Sequence, residues 1–248
     1  MPPILISGNK AKKNRRMTDI PFYTTLENRG LIKIEGKDAR DFLQNLITND
    51  MNHLKAETIL YACLLSPQGK FLFDFFVHQG NGFYLLDCEG GERAKELAKR
   101  LGMYRLRAEV GISVEKENMP VYAVFGDQNS GFPDPRHKEM GYRSFTRPAE
   151  NIPEHPFEEW DKRRIRLEIP DGSRDLIVNK STMDEAHMDR LNAISYEKGC
   201  YIGQELTARM HYRGLGKKHL KMVKIDNLPE KAELRSHCGD IGLALVRN

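Results

Sequence analysis

The sequence predicts an α+β protein built on antiparallel strands, and three observations carry this. Residues 59–86 read as a β-meander: Ile59 to Leu65, Phe71 to Val77 and Phe83 to Leu86 are apolar runs split by Ser66-Pro67-Gln68-Gly69-Lys70 and by Gly80 to Gly82, and Pro and Gly are the strongest turn signals. Residues 38–45 and 91–107 carry apolar residues at helical spacing. Residues 219–226 and 241–246 form a separate small β region. With 248 residues, 40% hydrophobic and 30% charged, the chain suits two globular domains or one large one.

In order, residues 22–35 begin the fold, with Leu31 to Ile34 as a strand. Gly36 turns the chain, and Asp38 is placed to cap a helix through Asn45 whose apolar face is Phe42, Leu43 and Leu46. Thr48-Asn49-Asp50 ends that helix. These are turn residues, although a loop leaving a helix can also line a cleft. In the middle strand of the meander, alternation puts Asp74 on the same face as Leu72 and Phe76, an unusual place for a carboxylate. The helix at 91–107 buries Ala94, Leu97, Ala98 and Leu101, and its charges read as a solvated face. Gly111 to Glu117 and Val121 to Phe125 are further strands. Gly126 to Pro156 is rich in Gly, Pro, Asp and Arg and reads as short strands and long loops. Trp160 to Ile169 starts as a helix, and Glu205 to His211 is a second helical run.

Charge is unevenly placed. The first 16 residues hold Lys10, Lys12, Lys13, Arg15 and Arg16 and no acid, so of the formal +4 the remaining chain carries −1. The stretch reads as a disordered basic tail, with a transit peptide or an upstream start before Met17 as alternatives. The near-neutral body argues against nucleic acid as a partner. No run approaches the roughly 20 apolar residues of a membrane span, so no membrane partner is expected. Of four cysteines, none forms a CxxC pair. Cys63 and Cys88 lie in strand-like apolar runs and are expected buried, whereas Cys238 near a terminus is expected accessible.

The most informative stretch is Lys198-Gly199-Cys200-Tyr201-Ile202-Gly203-Gln204-Glu205. Gly199 and Gly203 permit positive φ or close backbone approach on both sides of the thiol, and Lys198 would favour the thiolate. A carboxylate at Glu205 suits a first helical turn. The plain alternative is a small packed cysteine, but a core strand rarely reads Gly-Cys-Tyr-Ile-Gly followed by Gln-Glu. Beyond it, Arg209, His211 and Arg213 surround Tyr212, which suits either an anion cradle or an exposed helix face.

Lys198 to Glu205 resembles the signature of the YgfZ family, folate-binding proteins related to the glycine-cleavage T protein. Gly36 to Gln44 with Thr48-Asn49-Asp50, Pro67-Gln68-Gly69-Lys70, Arg166-Leu167-Glu168-Ile169-Pro170, Ala208-Arg209, Arg213-Gly214 and Gly242 to Arg247 match in order, covering nearly all of residues 20–248. The resemblance implies a multi-lobed ring of antiparallel sheets and helices around a folate channel, with a C-terminal β-barrel whose completeness is open. It implies the domains 1–16 (tail), 17–50 with 118–205 (first lobe), 51–117 (second lobe) and 206–248 (short barrel-like region). It also implies tetrahydrofolate, or a one-carbon derivative, as ligand. Glu168, Lys198, Tyr201, Gln204, Glu205, Arg209 and Asn49 would be its binding residues, with Cys200 and Asp74 the chemically active ones. By the same resemblance, Glu168 contacts the pterin and Asp74 handles the folate nitrogens.

Two functions of different class follow from the resemblance. The first is an accessory factor for assembly or repair of iron–sulfur proteins, mainly four-iron ones, with Cys200 as working thiol and iron–sulfur clients or assembly proteins as partners. The second is a folate-dependent aminomethyltransferase with Asp74 as acid or base. A role in tRNA modification is a third, disfavoured by the body's charge. A methyl transfer needs no thiol, so Cys200 favours the first. A monomer is expected, in the cytoplasm of a bacterium or the mitochondrial matrix of a eukaryote.

Overall fold

The computed structural model describes residues 20–115, 119–127, 129–214 and 216–247; the basic tail lies outside the described residues. Twelve strands and four α-helices are seen among these. They are β1 (Phe22–Leu26), β2 (Arg29–Glu35), α1 (Ala39–Leu46), β3 (Ile59–Leu65), β4 (Phe71–Gln79), β5 (Phe83–Glu89), α2 (Glu92–Tyr104), β6 (Gly111–Val114), β7 (Val121–Phe125), β8 (Phe132–Pro133), β9 (Tyr142–Ser144), α3 (Phe157–Arg166), α4 (Gln204–Arg213), β10 (Lys218–Lys224), β11 (Glu233–Cys238) and β12 (Ile241–Arg247). Three sheets result, with strand orders β1-β7-β9-β8, β3-β4-β5-β2-β6 and β10-β12-β11. Every strand pairing within them is antiparallel.

The meander forms as the turn residues dictate. Gly69 takes φ +75 between β3 and β4, a conformation glycine adopts without a Cβ penalty. β3 and most of β4 are buried on both faces, which is why they read as unbroken apolar runs. One face carries Ile32, Leu64, Phe75 and Val77, packed against Phe42, Leu43 and Leu46 of α1 and Leu97 and Leu101 of α2. The other face carries Tyr61, Cys63 and Phe76 and shares a core with Leu26, Val121 and Phe125 of the first sheet, Trp160 of α3 and the coil residues Met183 and Met188.

Several expectations change. β2 lies between β5 and β6, so residues 29–50, expected with the first lobe, pack with the second sheet. Asp38 precedes α1, but its carboxylate accepts the Glu109 backbone N–H instead of capping the helix. Among the described residues, the C-terminal segment forms a three-stranded sheet rather than a closed barrel. It rests on α3 through Ile165, Cys238, Ile241 and Leu243.

Buried ion pairs stand between the first two sheets. Asp87 accepts from Arg29 Nε at 2.7 Å and Arg143 Nε at 2.8 Å. Asp134 holds Arg136 through two oxygens at 3.0 and 2.7 Å. The guanidinium carbons of Arg143 and Arg136 lie 3.9 and 4.7 Å from the Phe76 ring centroid, a cation–π arrangement. All these charged groups are buried, and each is paired, as low dielectric demands.

Candidate functional site

The stretch around Cys200 is fixed on both sides. On one side, Lys198 Nζ donates to three backbone carbonyls, Gln44 at 2.6 Å, Ile47 at 2.7 Å and Asn49 at 2.8 Å. These are the orphan carbonyls at and just beyond the end of α1, where a cation also meets the negative end of the helix dipole. The ammonium's three donors are thereby spent on the α1 exit. Burial draws the Lys198 amine down to about 8.

On the other side, Gly203 precedes α4 with φ +81. A Cβ there would stand 2.4 Å from Ser66 O, 2.9 Å from Leu65 Cβ and 3.0 Å from Gly69 Cα. The β3–β4 turn and the α4 N-terminus therefore touch through their glycines, so the Pro67–Lys70 and Lys198–Glu205 motifs form one structural unit. Gly199 is different: an added Cβ would meet no atom within 4 Å.

Cys200 is exposed, while Cys63, Cys88 and Cys238 are buried. Burial pushes the Cys88 thiol up to about 12 and raises Cys63 well above its usual value. Cys238, expected accessible, is packed by α3 against Ile165, and burial raises its thiol too. Proximity to a terminus does not expose a strand residue that a helix covers.

The other expected residues divide. Gln204 Oε1 accepts the Tyr201 N–H at 3.2 Å, closing the turn that follows the thiol. The Tyr201 ring packs on the shared core and its hydroxyl is pushed up to about 12 by burial. Glu205 and Arg209 are exposed on α4, a helix with only Thr207 buried. The Asn49 amide donates to Tyr61 O at 2.8 Å and Asn192 O at 2.7 Å, and Thr48 bridges Ala193 O and Cys63 N. The polar exit of α1 thus ties three segments together.

Asn49 also lines a cavity of about 460 Å³ with Tyr61, His53, Asn192, Tyr196 and Glu197, immediately before the Lys198 turn in sequence. His53, Tyr196 and Glu197 were missed because nothing local marks them; the cavity exists only once α1's exit meets residues 192–197.

Two expected folate contacts lie elsewhere. Glu168 leaves α3 at φ +58, and its Oε1 accepts the Met222 N–H of β10 at 3.1 Å. It does not line the cavity beside Asn49; its carboxylate faces the C-terminal sheet. Asp74 is 3% exposed. One oxygen accepts the Tyr61 hydroxyl at 2.8 Å, and the other lies over Gly172, where a Cβ would stand 3.2 Å away. Burial raises the Asp74 carboxyl, against the opposing charge of Arg29. Asp74 shares the Tyr61 and Phe76 face, as expected, but Leu72 packs in the other core past an irregularity in the β3–β4 register; Asp74 lies behind Tyr61 and does not line the cavity. Among the described residues, no group of three or more His, Cys, Asp or Glu is arranged to hold a metal ion.

The fold is that of the glycine-cleavage T protein. The chain superposes on the crystal structure of glycine cleavage system aminomethyltransferase T from Bartonella henselae with a TM-score of 0.67 at 13% identity, over 93% of this chain and 79% of that one. No family model matches the sequence. Against individual proteins, it is 30% identical over 272 residues to the human iron-sulfur cluster assembly factor IBA57, mitochondrial, spanning 89% of this chain and 76% of that protein. It is likewise 30% identical to the Pyricularia oryzae IBA57 homolog over 86% of this chain. The chain belongs to the IBA57 family of iron–sulfur cluster assembly factors. It spans 60% of the Pyricularia oryzae relative's length and 52% of the Neurospora crassa one's.

Proposed function

We propose that this chain is an accessory factor for assembly or repair of iron–sulfur proteins, with Cys200 as its working thiol. The observation that carries this is the exposure of Cys200 on an open turn held by Lys198 and Gly203 while the other three thiols are buried. A cluster takes about four ligands, so a single thiolate contacts one only together with ligands from a client or assembly partner. The relatives' names place them in mitochondria, which favours the matrix over a bacterial cytoplasm.

Tetrahydrofolate, or a one-carbon derivative, fits the cavity beside this turn. Its volume of about 460 Å³ lies in the usual range for small-ligand sites. Tyr196, partly exposed, offers an aromatic surface, and the exposed Glu197 carboxylate can accept two hydrogen bonds from an amino-pyrimidine edge. The aminomethyltransferase alternative is weakened by Asp74, which is enclosed away from this cavity. The test is complementation of a strain lacking the gene. Cys200→Ser should accumulate folded protein and bind tetrahydrofolate by calorimetry, yet fail to restore four-iron enzymes. Full restoration would make the thiol structural and sink the reading.

A further inference from the structure

The exit of α2 bears four cations within nine residues, Lys99, Arg100, Arg105 and Arg107. No hydrogen bond or ion pair engages their side chains among the described residues. The neighbouring acids are already occupied: Glu92 pairs with Lys95, Glu96 with Arg93 and Glu109 with Lys37. Across a shallow groove, Asp38, which accepts the Glu109 N–H, and the exposed Asp41 face this exit, two acids against four cations.

Between the cations stand two bare apolar side chains, Met103 at 62% exposure and Leu106 at 88%. Leu106 holds φ +45, a left-handed conformation that is unfavourable for leucine and that Gly or Asn would adopt at little cost. The chain thus presents a leucine at an apex, at an energetic cost, between Arg105 and Arg107.

We propose that this apex docks on an anionic lipid bilayer. The guanidiniums and the Lys99 ammonium meet lipid phosphates, while Leu106 and Met103 enter the boundary of the acyl region, the division of labour of interfacial binding sites. A polyanion such as RNA would match the cations but offers nothing for an apical leucine. The sequence expectation of no membrane partner rested on the missing span. No helix among the described residues is long and apolar enough to cross a membrane, and surface docking needs none.

The test is co-sedimentation of the full chain with vesicles of phosphatidylcholine, alone or mixed with phosphatidylglycerol. Wild type should bind only the mixed vesicles. At about five-fold per cation, Arg105→Gln with Arg107→Gln should lower partitioning about 25-fold. Leu106→Asn, which keeps the left-handed turn, should lower it about ten-fold. Lys231→Gln, an exposed charge elsewhere in the chain, should change it less than about two-fold; circular dichroism checks the fold of each variant. Absence of wild-type binding to mixed vesicles overturns the proposal. So does loss with the arginine pair but not with Leu106→Asn, accompanied by equal competition from heparin, which would assign the site to a polyanion.

Discussion

Replacing Gly203 by alanine probes the joint that positions Cys200. At φ +81 a non-glycine residue pays about 1–2 kcal/mol. The new methyl would also stand 2.4 Å from Ser66 O and 3.0 Å from Gly69 Cα, backbone atoms of a tight turn that cannot rotate away, and overpacking of this kind costs about 1–3 kcal/mol. Together these predict a loss of about 2–5 kcal/mol, a substantial share of a typical 5–15 kcal/mol stability. In a chain of this size that lowers Tm by roughly 10 °C. Gly199→Ala is the internal control: its Cβ meets nothing within 4 Å, and the change should stay within about 0.5 kcal/mol. Urea unfolding followed by fluorescence of Trp160, the one tryptophan, reads both. A cost under about 0.5 kcal/mol at Gly203, or an equal cost at both positions, would refute the idea that the β3–β4 turn and α4 are locked through their glycines.

Three further outcomes are expected. Glu197→Gln should weaken tetrahydrofolate binding by about 1.5–3 kcal/mol, the scale of a charged hydrogen bond; unchanged affinity in calorimetry would remove Glu197 from the ligand site. Asp87→Ala strands Arg29 and Arg143 without their shared carboxylate and should cost about 3–5 kcal/mol; a loss below about 1 kcal/mol in urea unfolding would mean that water reaches the pair. Burial lowers both His78 and His187 below the ordinary histidine value, with His219 adding to the effect at His187. The unfolded chain then takes up protons that the folded one resists, so their contribution is whole above about pH 6.5 and is lost as pH falls below it. The urea midpoint should drop across that window and drop less in His78→Phe; an equal slope in both would clear His78.

Legibility of the fold followed the range of the forces. The meander showed because each strand has a dense apolar run and each turn carries its own Gly or Pro. β8 and β9 fall where short strands among long loops were expected, but their two- and three-residue lengths left no periodicity to set their bounds; β1 was read only as part of 22–35. β11 escaped because Glu-Leu-Arg-Ser-His-Cys has little apolar alternation and leaves Leu234 partly exposed. At the site, Asp74 stood out as a carboxylate on an apolar face. Its setting did not, because Arg29, Arg136 and Gly172 come from distant segments. The setting of Glu168 was hidden for a related reason: the left-handed turn at that residue brings its carboxylate to β10.

The clamp at Lys198 has a consequence for how Cys200 meets anything. Only residues 199–202 lie between the ammonium anchored on α1 and the glycine wedged on the β3–β4 turn. At about 3.3–3.6 Å per extended residue, such a short tether lets the sulfur tilt but not swing across the surface. Gly199, with open space around it, is the one loose joint. The thiol therefore behaves as a fixed post, and the choice of what reaches it rests on the contour of the surrounding surface: a rival with equal thiol reactivity but the wrong outline is turned away before any bond can form.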